Sequence, residues 1–124
     1  MNSRNKEKGF TLVEIMLVVV IISIIAAIAM PAYNNHVKET RRTAAKATLL
    51  EMANAAEQHN SRTGTYNGIT TSDILPENAL TEHYAFTITL TAAGYTILAV
   101  PVPDSAQEGT GILQVNAQGE RSWE

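Results

Sequence analysis

Apolar positions fall into three regimes along the chain, and each predicts a different element. From 10 to 30 they are nearly continuous, F-T-L-V-E-I-M-L-V-V-V-I-I-S-I-I-A-A-I-A-M, broken by a single carboxylate, Glu14. As a helix this run extends roughly 31 Å at 1.5 Å per residue, close to a bilayer core. From 33 to about 61 the pattern turns amphipathic. Ala45, Leu49, Met52 and Ala56 fall at steps of four, three and four, one face of a helix, and Ala44, Ala47, Leu50 and Ala53 widen the stripe. From 84 the period drops to two: Tyr84, Phe86, Ile88 and Leu90 alternate with Ala85, Thr87, Thr89 and Thr91, a half-buried strand with threonine on its open face.

Glycine and proline supply the boundaries. Pro31 follows the apolar run, where a lost backbone donor kinks or loosens the turn before it. Gly64, in T-G-T-Y, is a natural end for the amphipathic helix. Residues 67–82 read as a loop, with a short helical turn at 73–75. Ala92-Ala93-Gly94 turns the first strand into a second at 95–100, which Pro101 and Pro103 should stop. A polar loop at 104–111 leads to a third strand at 112–115 and a short fourth at 120–123. The expected fold is α+β: a long N-terminal helix whose outer half packs on a small antiparallel sheet of three or four strands. One small domain plus a membrane helix accounts for the chain.

Charge sharpens this picture. The formal net charge of −3 is unevenly spread. Arg4, Lys6 and Lys8 against Glu7 make residues 1–9 basic, which favours a cytoplasmic N-terminus. Lys38, Arg41, Arg42 and Lys46 cluster on the early amphipathic helix. They read either as a solvated or phospholipid-facing patch or as an intersubunit ion-pairing patch. From Thr63 onward Arg121 stands alone against Asp73, Glu77, Glu82, Asp104, Glu108, Glu120 and Glu124, a formal charge of −6. That sign argues against direct nucleic-acid binding. There is no cysteine. His36, His59 and His83 lack metal-ligand spacing, and Asp104 with Glu108 are too few oxygens for calcium. No nucleophile motif or phosphate-cradling loop occurs, so no enzyme, cofactor or metal site is expected.

Glu14 then stands out. An acid inside a membrane-length segment costs roughly 2.5–3.5 kcal/mol even on lenient insertion scales. The stretch K-G-F-T-L-V-E-I, residues 8–15, resembles the leader of the type IV pilin and pseudopilin family. The resemblance implies that a prepilin peptidase cuts between Gly9 and Phe10 and methylates the new Phe10 amine. That amine lies four residues before Glu14 and supplies the missing partner, either within one chain or on a neighbouring subunit. Because pairing offsets the cost of burying each charge, Glu14 and Phe10 would act as an assembly register.

The implied domains are a cleaved leader at 1–9, a membrane and filament-core helix at 10–31, and an amphipathic helix with an exported head at 32–124. Unlike a secretory signal, the apolar segment follows the cut and is retained. Family filaments often have a softened segment before the proline matching Pro31. Here Ser23 replaces the glycine many members carry, leaving a plain kink equally open. The run R-R-T-A-A-K-A-T-L-L-E-M-A with R-T-G-T-Y resembles the PilE-type type IVa minor pilins. In that pattern Thr110 and Ser122 occupy the places of a paired disulfide, so Trp123 should instead pack against the sheet or loop. Implied partners are the peptidase, other pilins in a helical filament, the inner membrane before assembly and the pilus assembly platform. A type II secretion pseudopilin, or a membrane-anchored binding module that never polymerises, are the alternatives.

Overall fold

The computed structural model describes residues 8–123. Arg4, Lys6 and Glu7 of the leader, and the terminal Glu124, lie outside the described residues. The chain divides into two units, Met1–Asn35 and His36–Glu124. One helix, α1 (Leu12–Thr63), contributes to both.

In the first unit the large apolar side chains from Phe10 to Met30 are 48% to 81% exposed, so the segment has no partner of its own. Isoleucine, valine and leucine on every side leave it no polar face to present to water. Helical residues continue through Pro31 without interruption. The free subunit therefore shows no melted segment there, although proline removes one donor from the ladder. Ser23 turns its hydroxyl onto the Val19 carbonyl at 2.7 Å, keeping its polar group inside the helix.

The second unit is a four-stranded antiparallel meander in the order β1-β2-β3-β4. Its strands are β1 (Tyr84–Thr91), β2 (Gly94–Pro101), β3 (Leu113–Asn116) and β4 (Arg121–Trp123). A short helix, α2 (Thr71–Ile74), precedes β1 and begins two residues earlier than the sequence suggests. Alternation puts Tyr84 and Phe86, then Tyr95, Ile97 and Ala99, then Leu113 and Val115 on one sheet face. There they meet Ala45, Leu49, Met52 and Ala56 of α1 in a single core. Leu49, Met52, Tyr84, Ile97 and Leu113 are fully buried, each contributing about 1.5–3 kcal/mol of transfer free energy.

Four expectations need correction. Ala47, placed on the widened stripe, is exposed, and Thr48 beside it is buried instead. Ile112 lies before β3, which begins at Leu113, and is 48% exposed. Leu90 shares the inward register of β1 yet is 40% exposed. It lies beside Asn60, Gly64 and Tyr66, where α1 stops and leaves an open groove. Pro101 does not lie beyond β2 but is its last residue, opposite Tyr84, an end position where a missing donor is tolerated. Gly64 does end α1, at φ +76 with its N–H on the Asn60 carbonyl at 2.7 Å.

Candidate assembly site

At the start of the first unit, Lys8 to Thr11 precede the helix and are exposed. Thr11 caps α1: its hydroxyl accepts the Glu14 N–H at 3.2 Å and its carbonyl the Ile15 N–H at 3.2 Å. A threonine cap satisfies donors that would otherwise be orphaned, and it leaves the Gly9–Phe10 bond outside the helix. Glu14 falls in the first turn, where the helix dipole favours a carboxylate. Glu14 and the 81%-exposed Phe10 line one shallow apolar groove with Ile15, Val18 and Val19. Among the described residues the Glu14 carboxylate has no partner.

The basic cluster belongs to the second unit, and the structure splits it. Arg42 is half-buried, and its guanidinium donates to the carbonyls of Thr110, Gly111 and Trp123. One side chain on α1 thereby ties the loop after β2 to the final strand. Lys46 sits over the Trp123 ring at 5.7 Å, a cation–π contact. Arg42 and Lys46 thus contact the C-terminal end of the head's own chain. Lys38 and Arg41 are half-buried. The Lys38 carbonyl accepts the side-chain N–H of Gln107 at 2.9 Å. Gln107 is itself fully buried, and its side-chain carbonyl has no partner among the described residues.

At the other end of the head, Glu57 on α1 collects two phenols. Tyr66 donates to both its oxygens at 3.0 and 3.1 Å, and Tyr95 to one at 3.0 Å. The two rings meet edge-on, 5.1 Å between centroids. Burial foremost, then the Glu57 charge, pushes both phenols above the ordinary tyrosine value. This hub pins the turn after α1 to the sheet. Asp73 accepts from both the backbone N–H and the hydroxyl of Thr70, at 2.9 and 2.6 Å. Those bonds hold its carboxyl below the usual range. His36, His59 and His83 are not brought together, and no metal-holding group occurs among the described residues.

A family model described as type IV minor pilin ComP, DNA uptake sequence receptor, matches residues 31–111. A second, described as the prokaryotic N-terminal methylation motif, matches residues 4–30. The chain belongs to the type IV minor pilin ComP family. It is 37% identical over 81 residues to the type IV major alpha-pilin of Moraxella bovis, covering 56% of this chain and 51% of that protein. It is also 47% identical over 51 residues to a fimbrial protein of Pseudomonas aeruginosa, covering 41% of this chain and 33% of that one. The chain thus spans about half or less of these relatives' length. Its structure is similar to a type IV pilin from Shewanella oneidensis, with a TM-score of 0.53 and 30% identity over 68% of this chain and 89% of that one. The minor pilin PilV of Neisseria meningitidis shares the fold, with a TM-score of 0.54 at 22% identity over 70% and 86% of the two chains.

In this pilin the closure at the C-terminal end is non-covalent. The register pairs Ser122 with Gln114, and Leu113 with Trp123. Thr110 and Ser122 are therefore not opposite one another in the sheet, and the Arg42 guanidinium bridges the two segments instead. Trp123 is half-buried against the core, as its expected packing role requires. Periodicity and motif spacing assign no role to Thr11, Gln107 or Glu57. Only Thr11 carried a local signal, a hydroxyl three residues before a glutamate at a helix start.

Proposed function

We propose that this pilin is a structural subunit of a type IV pilus, incorporated as a minor pilin. A prepilin peptidase cuts it between Gly9 and Phe10 and methylates the Phe10 amine. Until assembly the helix at 10–31 anchors it in the inner membrane, with residues 1–9 cytoplasmic and the 32–124 region exported. Assembly then draws that helix into the filament core beside other pilins, on the pilus assembly platform. Glu14 sets the register by pairing with a Phe10 amine. Pro31 gives the helix a place to bend.

The observation that carries this reading is the start of α1. A capped helix begins directly after an exposed Gly9–Phe10 bond and presents a carboxylate that, among the described residues, is unpaired on an uncovered apolar surface. A free-standing domain gains nothing from that arrangement, whereas an assembling one can bury the helix and pair the acid together. The DNA-receptor role in the family's description is not extended to this chain. Its head carries a formal charge of −6 from Thr63 onward, and Arg42 and Lys46 are engaged internally.

Replacing Gly9 with Leu tests the processing step. The expected product is full-length protein confined to the inner membrane. Normal cleavage of that variant would remove the proposal.

A further inference from the structure

Nine asparagines occur along the chain, and Asn67 alone is followed by glycine. Gly68 stands at φ +86, the left-handed third position of a turn closed by the Ile69 N–H on the Tyr66 carbonyl at 3.4 Å. That bond is long, and nothing lies within 4 Å of where a Gly68 Cβ would sit. Both residues are exposed, and Asn67 borders the open groove where α1 stops. Among the described residues the Asn67 side-chain amide has no hydrogen-bond partner, and the Gly68 N–H donates to none.

The other described asparagines lack this combination. Asn34, Asn35, Asn54 and Asn60 lie in α1, whose ladder fixes the backbone around them. Asn116 gives its amide to Glu120 at 2.7 Å, and its side-chain oxygen accepts the Gln118 and Glu120 N–H groups at 3.1 and 2.9 Å. Asn78 is exposed, but Ala79 follows it, and the Ala79 N–H is held on the Pro76 carbonyl at 3.1 Å.

We infer that Asn67 is a site of spontaneous deamidation, a modification whose one co-reactant is water. The deprotonated Gly68 nitrogen attacks the Asn67 Cγ, a C–N bond forms, and ammonia leaves with the former amide nitrogen. Water then adds to either carbonyl of the cyclic imide, breaks a C–N bond and returns the proton to nitrogen. The products are aspartate and isoaspartate. Glycine leaves the attacking nitrogen uncrowded, since it has no Cβ. Attack requires the turn to open. Against that stand the long Tyr66–Ile69 bond and the Asn67 N–H on the Thr65 hydroxyl at 3.1 Å, and exposed turns held by so few bonds open at small cost. Each product adds one negative charge to a head whose formal charge is already −6 from Thr63 onward. Isoaspartate also inserts a methylene into the main chain between Tyr66, bound to Glu57 at 3.0 Å, and the buried Ile69. The inference stands apart from the pilus-subunit reading.

Peptide mapping by mass spectrometry tests this on the full chain in detergent, aged at mildly alkaline pH beside a sample unfolded in urea. The expected change is the amide-to-acid mass difference on the peptide holding Asn67, appearing as separate aspartate and isoaspartate forms. Its rate in the folded chain should lie within about tenfold of that in the unfolded one, and should exceed that of Asn78 by roughly tenfold or more. It should also rise with pH, because the nucleophile is the deprotonated nitrogen. Asn67→Gln should leave the fold unchanged and show no conversion at 67, since the longer side chain must close a larger ring. Conversion at Asn67 in the unfolded chain alone, or no faster than at Asn78 in the folded one, would overturn the inference. Aspartate without isoaspartate would do the same, because it would mean direct hydrolysis of the side chain with no attack by Gly68.

Discussion

Arg42 brings one positive charge to backbone carbonyls on two separate segments, the loop after β2 and the last strand. Charge-assisted bonds of this kind are worth about 1.5–3 kcal/mol, and truncation would also leave half-buried carbonyls unpaired. Arg42→Gln should therefore lower the stability of the full chain in detergent by about 2 kcal/mol, or roughly 10 °C in melting midpoint. Arg42→Lys should recover little, since an ammonium lacks the fork. Thermal unfolding followed by circular dichroism checks both. Tyr95 offers a pH test. Its phenol is held protonated by burial and by Glu57, so its contribution is complete below the ordinary tyrosine value of about 10 and is lost as pH rises beyond it. Stability measured from pH 8 to 11 should fall less steeply in Tyr95→Phe than in the parent.

Elements were more legible than the contacts between them. The Ala45, Leu49, Met52 and Ala56 stripe, the start of the β1 alternation and the Gly64 helix end follow from local periodicity and turn chemistry, and these lie where the sequence indicates, whereas Ala47 turns outward. Leu90 departs from its pattern because α1 ends before covering it, a tertiary fact that no strand periodicity contains. Gln107 reads as an ordinary polar loop residue, and nothing nearby in sequence signals that its amide will be buried against Lys38. Likewise, spacing groups four basic residues on one helix, but it does not tell which ones turn toward the C-terminal strand.

At the turn between β1 and β2 the demand is steric. Gly94 sits at φ +129, and an added Cβ would lie 2.5 Å from the Ala117 Cβ. Gly94→Ala combines a strained backbone with a clash against β3's outgoing turn, so a loss of about 2–4 kcal/mol is expected, read as a lower denaturation midpoint. The cap on α2 has a milder test. Asp73 is stabilising above its ordinary value, and that contribution disappears as pH falls through the lowered one. Asp73→Asn should flatten the acid limb of the stability profile between pH 5 and 2.

At the scale of the whole molecule, the two units have opposite needs. The His36–Glu124 unit buries its own core, whereas the apolar side chains of residues 10–30 are left for another surface to cover. Membrane and filament can each supply that surface; in the proposed assembly the filament also brings a Phe10 amine from another subunit to Glu14. Glu14→Val should therefore insert into the membrane normally, since valine removes a cost of roughly 2.5–3.5 kcal/mol there. Its share in sheared filaments should drop at least tenfold, as quantified by immunoblotting both fractions. Wild-type levels in filaments would remove the register role.

On the proposed reading residues 1–9 are removed and the remainder enters a pilus. Mass spectrometry of sheared surface filaments, beside the inner-membrane fraction and quantified against the dominant pilin, tests it most directly. The expected result is a peptide beginning at N-methylated Phe10, present in the filaments at low stoichiometry. An intact Met1 leader in every fraction would exclude both the cleavage and the pilin role.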